Sequence, residues 1–168
     1  MTSQAAHAIL REVLADYQIV DRWADSPFER IRRIETASRG KVGQKLVARL
    51  CEHLELACEF GEVQSPWDVK IEGRTFEVKT ATEGANGTFQ FNHIRYHRRY
   101  EFLLCVGITP VEIVFDAWSK ADVVTERAGH LVTMERGANA SYKLTKRTAQ
   151  MSPIDGFRDH VLRLSRTP

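Results

Sequence analysis

PWDVKIEGRTFEVKT, Pro66 to Thr80, is the stretch on which the reading of this chain turns. Glu72-Gly73 supplies a two-residue turn, the glycine tolerating the positive φ that tight hairpins need. The flanking residues then pair Ile71 with Arg74, Lys70 with Thr75, Val69 with Phe76 and Asp68 with Glu77. Side chains alternate along a strand, so Val69, Ile71, Phe76 and Val78 share a face that belongs in a core. Asp68, Lys70, Thr75, Glu77 and Lys79 share the other. Like charges directly opposed across a ladder are destabilising, and a cation held between Asp68 and Glu77 would remove that cost. Mg²⁺ takes one or two carboxylates together with waters and substrate phosphates. Lys79, one step further along the same face, could then serve an attacking water or the charge developing on a phosphate. A solvated strand face also alternates charge in this way, so the hairpin alone leaves both readings open.

The chain around it has 168 residues, 43% of them apolar, which suits one compact domain with a full core. With 24 basic and 22 acidic residues the net charge is only +2, so affinity for a polyanion must come from local clusters. Cys51, Cys58 and Cys105 form no disulfide framework and no CxxC zinc pattern; buried thiols in a reducing compartment fit better. The N-terminus, MTSQAAHAILREVLADY, carries charges throughout, so neither a signal peptide nor a membrane span is expected, and a cytoplasmic location is.

Apolar positions Ile9, Leu10, Val13, Leu14 and Tyr17 predict a first helix. Ser26-Pro27 with Glu29 predicts a capped second helix running through Ile31 and Ile34 to Gly40. KVGQKLVARLCEHLEL predicts a third, with Cys51 and Cys58 both on it and in the core. After the hairpin, EGANGT reads as a loop, FQFNHIRYHRRY is of undecided type, EFLLCVGI is a buried strand and VEIVFDAW another. SKADVVTER follows as a helix capped by Ser119, YKLTK as a late strand, and SPIDGFRDHVLRLSR as a final helix. Helices, then strands, then mixed elements indicate an α/β (α+β) fold with a mixed central sheet covered by helices.

Several side chains outside the hairpin have chemistry to offer. Arg95, Arg98 and Arg99, with Asn92, His93 and Tyr100 beside them, could grip phosphates and reach base edges, or form a solvated basic turn. His93 and His97 would face one way on a helix and could ligate a metal, though no further ligand is evident. Lys143, Lys146 and Arg147, with Arg136 near them, form a second basic group. Trp67 and Trp118 read as packing residues. Asp116 reads as a strand-end cap or turn rather than a third acidic group.

The hairpin resembles the PD-(D/E)xK signature of the restriction-endonuclease-like nuclease superfamily. Asp68 matches the motif aspartate, with Pro66 two residues before it, and Glu77-Val78-Lys79 matches E-x-K. RGKVGQKL resembles the first core helix of that family. FQFNHIRYHRRYEFLLCVGITP is similar to the segment leading to the next buried strand in several type II restriction enzymes. The likeness covers residues 38–118. It implies a restriction-endonuclease-like mixed sheet flanked by helices. It also implies a metal held by Asp68, Glu77 and the Val78 carbonyl, with Lys79 positioning or activating water. Many relatives place a glutamate near the metal from the first helix. Gln44 stands at the matching position here, which puts a second metal in doubt.

The expected protein is thus a Mg²⁺-dependent DNA endonuclease of the type II restriction class. It would act on double-stranded DNA as a homodimer, alongside a cognate methyltransferase. Residues 1–168 would form one nuclease domain, with 38–118 as catalytic core and the helices of 1–37 as dimer interface. Asn92, His93, Arg95, Arg98 and Arg99 would contact DNA. The alternatives are a repair, recombination or defence nuclease subunit, or a non-cleaving DNA-binding protein on the same fold.

Overall fold

The computed structural model describes residues 3–17 and 20–166. Its helices are α1 (Ser3–Ala15), α2 (Thr36–His53), α3 (Lys120–Val124) and α4 (Phe157–Ser165). Its strands are β1 (Cys58–Phe60), β2 (Val69–Ile71), β3 (Arg74–Thr82), β4 (Thr88–Ile94), β5 (Phe102–Ile108), β6 (Ile113–Ser119), β7 (Leu131–Glu135), β8 (Ser141–Arg147) and β9 (Ser152–Pro153). A six-stranded sheet has the order β1-β2-β3-β5-β6-β9, and a three-stranded sheet the order β4-β8-β7. Within the larger sheet β3 and β5 are parallel and their other neighbours antiparallel, so the expected mixed α+β architecture is present.

The hairpin folds in the expected register, with Ile71 opposite Arg74, Lys70 opposite Thr75 and Val69 opposite Phe76. Glu72 and Gly73 take φ of 49° and 82°, the two left-handed residues of a turn whose twist matches the strands. Val69, Ile71, Phe76 and Val78 enter a core with Val47 and Cys51 of α2, and with Phe157 and Val161 of α4. Helices therefore cover one face of the large sheet. The other face, bearing Leu103, Cys105 and Val114, packs on Phe89, Phe91 and Leu144 of the small sheet and Val123 of α3. Gly107 permits this contact: a Cβ there would lie 2.7 Å from the Phe89 ring. β5 is buried along its whole length, as its unbroken apolar run predicts.

Four expectations are corrected. The ladder ends at Val69–Phe76, so Asp68 and Glu77 are not ladder partners; the Asp68 N–H donates to the Phe76 carbonyl at 2.9 Å. The helix expected from Ser26 to Gly40 is only a 3-10 turn over Glu29–Arg33, with Ile34 extended. The Ser26 hydroxyl donates to the Pro110 carbonyl at 2.5 Å, pinning this segment to a distant loop, and Ile31 packs with Trp23 on Ile108. α2 passes through Gly40 without stopping, its tertiary packing outweighing the roughly 1 kcal/mol a helical glycine costs. Cys58 lies on β1, not on the helix, which ends at His53. α1 forms as expected and buries none of its residues. Among the described residues no helix is long and apolar enough to cross a membrane.

Candidate active site

β3 is nine residues long and β2 only three, so β2 covers β3 only from Arg74 to Phe76. From Glu77 to Thr82 the opposite edge of β3 is paired with β5, while the β2-side edge has no strand on it among the described residues. A cavity of about 730 Å³ opens along that edge. Its walls are the first turns of α2 (Thr36, Arg39, Gln44) and the outward row of β4 (Thr88, Gln90, Asn92). α2 can lie this close because residue 43 is glycine; a Cβ there would sit 1.6 Å from Thr80 Oγ1.

Glu77 is the charged centre of the cavity and is only 1% exposed. Lys79 Nζ lies 2.7 Å from its Oε1, and Arg98 Nη1 donates to its Oε2 at 2.8 Å. Arg98 is itself anchored: Nη2 donates to the Ser65 carbonyl at 2.6 Å, and Lys120 Nζ donates to the Arg98 carbonyl. Where β2 stops, Asp68 turns its carboxylate into the ladder, and Oδ2 accepts the Val78 N–H at 2.8 Å. The amide and carbonyl of one strand residue project to the same side, so the Val78 carbonyl faces this open edge too.

Burial, and then the Glu77 charge, push the Asp68 carboxyl above the usual aspartate range, against the pull of Val78 N–H, Lys79 and Arg98. Tyr100 is pushed up for the same two reasons, burial first and Glu77 second. Thr80 Oγ1 and Tyr100 Oη are buried without a hydrogen-bond partner among the described residues. Two carboxylates thus face two cations in a half-closed cleft. A third acidic, cysteine or histidine ligand does not join them, since no cluster of three such side chains occurs among the described residues. Two carboxylates, a backbone carbonyl and space for waters suit a small hard cation better than a transition metal, which would ask for imidazole or thiolate.

Of the expected site residues, Asp68, Glu77, Val78, Lys79, Gln44, Asn92, His93 and Arg98 all line this one cavity. Arg95 and Arg99 do not; Arg95 lies 3.9 Å from Glu135, and Arg99 is exposed. His93 lies within β4, at a register irregularity before Ile94 and with φ of 56°, and His97 follows in a turn, so no helical histidine pair forms. Lys146 is structural, donating to the Ala128 carbonyl and lying over the Trp118 ring. Asp116 is inside β6 rather than at its end, accepts the Ala117 N–H, and is pushed up by burial.

Arg39, Thr80, Thr88 and Gln90 also line the cavity and were not among the expected residues. The alternation Phe89, Gln90, Phe91, Asn92 was the available signal for β4, with aromatics inward and amides outward.

No family model and no curated protein matches the chain. Among solved structures, a bacterial homing endonuclease is similar in chain path, with TM-score 0.48 and 12% identity, over 79% of this chain and 98% of that one.

Proposed function

We propose that this chain is a Mg²⁺-dependent endodeoxyribonuclease of the PD-(D/E)xK type that hydrolyses phosphodiester bonds in double-stranded DNA. The observation that carries the reading is the placement of Asp68, Glu77 and Lys79 together on the open edge of β3, inside the cavity. Asp68, Glu77 and the Val78 carbonyl would hold the cation. When bound, Mg²⁺ supplies Lewis acidity toward the phosphate and makes its water ligands more acidic. Lys79, 20% exposed and fixed by Glu77, orients the attacking water and meets the growing negative charge. Arg98 would be free to turn from Glu77 to a phosphate oxygen if a cation neutralised the carboxylate, since guanidinium pairs with either anion. The finer assignment is a type II restriction enzyme, acting as a homodimer beside a protecting methyltransferase.

One observation favours a second reading. Glu77 already has a cation on each oxygen, and Gln44 supplies no further charge, which also suits a DNA-binding protein that does not cut. Supercoiled plasmid incubated with Mg²⁺, with EDTA, and with the Lys79→Ala protein separates the two. Metal-dependent cleavage lost in the variant supports the nuclease. Binding without cleavage in any metal supports the second reading.

A further inference from the structure

We propose that the outward face of the β4-β8-β7 sheet reads DNA sequence, with Gln90 and Asn92 contacting base edges in the major groove. This deepens the nuclease reading and rests on it for the identity of the polymer.

The face is defined by register. Phe89 and Phe91 of β4 and Leu144 of β8 point into the core, so Thr88, Gln90 and Asn92 point outward. Thr145 lies opposite Gln90 and Arg147 opposite Thr88, while Lys143 lies opposite Val132 of β7. Gln90, Asn92, Thr145 and Arg147 are exposed, as are Val132 and Met134 at 45% and 40%. This is a sheet face of amides, hydroxyls, cations and two apolar tips.

Three arguments commit it to duplex DNA. The first is charge: the outward row of β8 carries Lys143 and Arg147, Lys146 facing the other way onto Trp118, against a single acid on the three strands, Glu135, and that acid accepts from the Ser141 hydroxyl and lies near Arg95. The second is fit. The major groove admits a two-stranded ribbon such as β4-β8, and glutamine and asparagine pair bidentately with adenine there, while apolar tips meet thymine methyls. Outward residues on one strand are about 6.7 Å apart, close to two base-pair steps. The deep, narrow major groove of duplex RNA would not admit the ribbon. The third is continuity: Thr88, Gln90 and Asn92 also line the cavity that holds Glu77 and Lys79, so a duplex seated on this face passes its backbone beside the carboxylates.

The test is binding-site selection from a randomised duplex library, with the full-length protein in EDTA so that no cutting is required. The wild-type protein should select a consensus. Gln90→Ala and Asn92→Ala should each relax it at one or two positions, losing roughly 5- to 150-fold discrimination there. Gln90→Arg should move the preference at that position toward guanine, a change that mere loss of structure does not produce. Lys143→Ala and Arg147→Ala should weaken binding to every sequence and reduce the log–log salt slope by about one each. A consensus unmoved by all three amide variants, no consensus, or tighter binding to duplex RNA overturns the proposal. A consensus that shifts as expected in a protein that never cuts upholds it and rejects only the nuclease reading.

Discussion

Arg98, 21 positions along the chain from Glu77, places Nη1 2.8 Å from the Glu77 Oε2. Lys79 takes the other oxygen at 2.7 Å. The carboxylate expected to hold a metal is thus fully neutralised by the protein's own cations, and it is buried. Removing either cation alone leaves the carboxylate paired with the other. The relationship makes Arg98 a competitor of any cation at Glu77.

Removing that competitor should therefore strengthen metal binding. In Arg98→Ala the half-saturating Mg²⁺ concentration should fall roughly 5-fold, the equivalent of about 1 kcal/mol for a pair open to solvent on the arginine side. Calorimetric titration of the free protein reads this directly. Unchanged or weaker Mg²⁺ binding would show that the two do not compete.

Glu77→Gln keeps the shape of the side chain and removes its charge. Cleavage should fall by more than roughly 100-fold, since even outer-shell partners of a metal cost 10- to 100-fold. DNA binding in EDTA should be retained or become tighter, because Lys79 and Arg98 are then free for phosphates. A gel-shift titration beside a cleavage time course checks both, and full-rate cutting would remove Glu77 from the site. Ca²⁺ should support binding but not hydrolysis, as it accepts longer and looser oxygen ligation than Mg²⁺.

The raised Asp68 carboxyl has a consequence for stability. The folded protein holds this proton more tightly than the unfolded chain does, chiefly through burial and then through Glu77. Its contribution is therefore complete below the ordinary aspartate range and is lost as pH rises through the folded value. Asp68→Asn, which still accepts the Val78 N–H, should raise the Tm at neutral pH, by about 2–4 °C for each kcal/mol recovered. The gain should vanish under acid conditions. A lower Tm at pH 7 would contradict it.

Gly43→Ala tests what holds the cavity wall. The added methyl would overlap the Thr80 hydroxyl, so α2 must shift off β3. Overpacking of this kind costs about 1–3 kcal/mol. We expect a lower Tm with a disproportionate loss of cleavage, measured by thermal melts and a plasmid assay. Gly40→Ala, with nothing within 4 Å of the new atom, should instead hold or raise the Tm.

One D…E-x-K site cuts one strand, and a two-fold dimer supplies a second of opposite polarity. Ile9, Leu10, Val13 and Leu14 of α1 are each about half exposed, a stripe that a second copy could cover. Light scattering should give a dimer, plasmid should be linearised with little nicked circle, and Leu10→Glu with Leu14→Glu should leave a monomer that nicks.

The hairpin was legible in the sequence because its information is local. Glu72-Gly73 dictates the turn, and a period of two then sorts Val69, Ile71, Phe76 and Val78 from Lys70, Thr75, Glu77 and Lys79 without reference to the rest of the chain. β5 was legible for the same reason, as an apolar run too short for a helix between turn signals. What required the tertiary structure was everything set by contacts between distant residues. Ser26 reads as a helix cap, and its oxygen does accept the Phe28 N–H, but its proton goes to the distant Pro110 carbonyl and only a 3-10 turn follows. Gly40 reads as a helix stop, yet α2 runs through it, and Gly43 and Val47 further along pack the helix on the sheet. Asp68 was expected to face Glu77 across a ladder, and instead the early end of β2 turns its carboxylate onto Val78. Arg98 reads as one of three equivalent arginines in a basic run; the fold alone separates it from Arg95 and Arg99 and sets it on Glu77. Local pattern settles which way a side chain faces on its own element, whereas the partner it meets depends on which other element the core brings to that face.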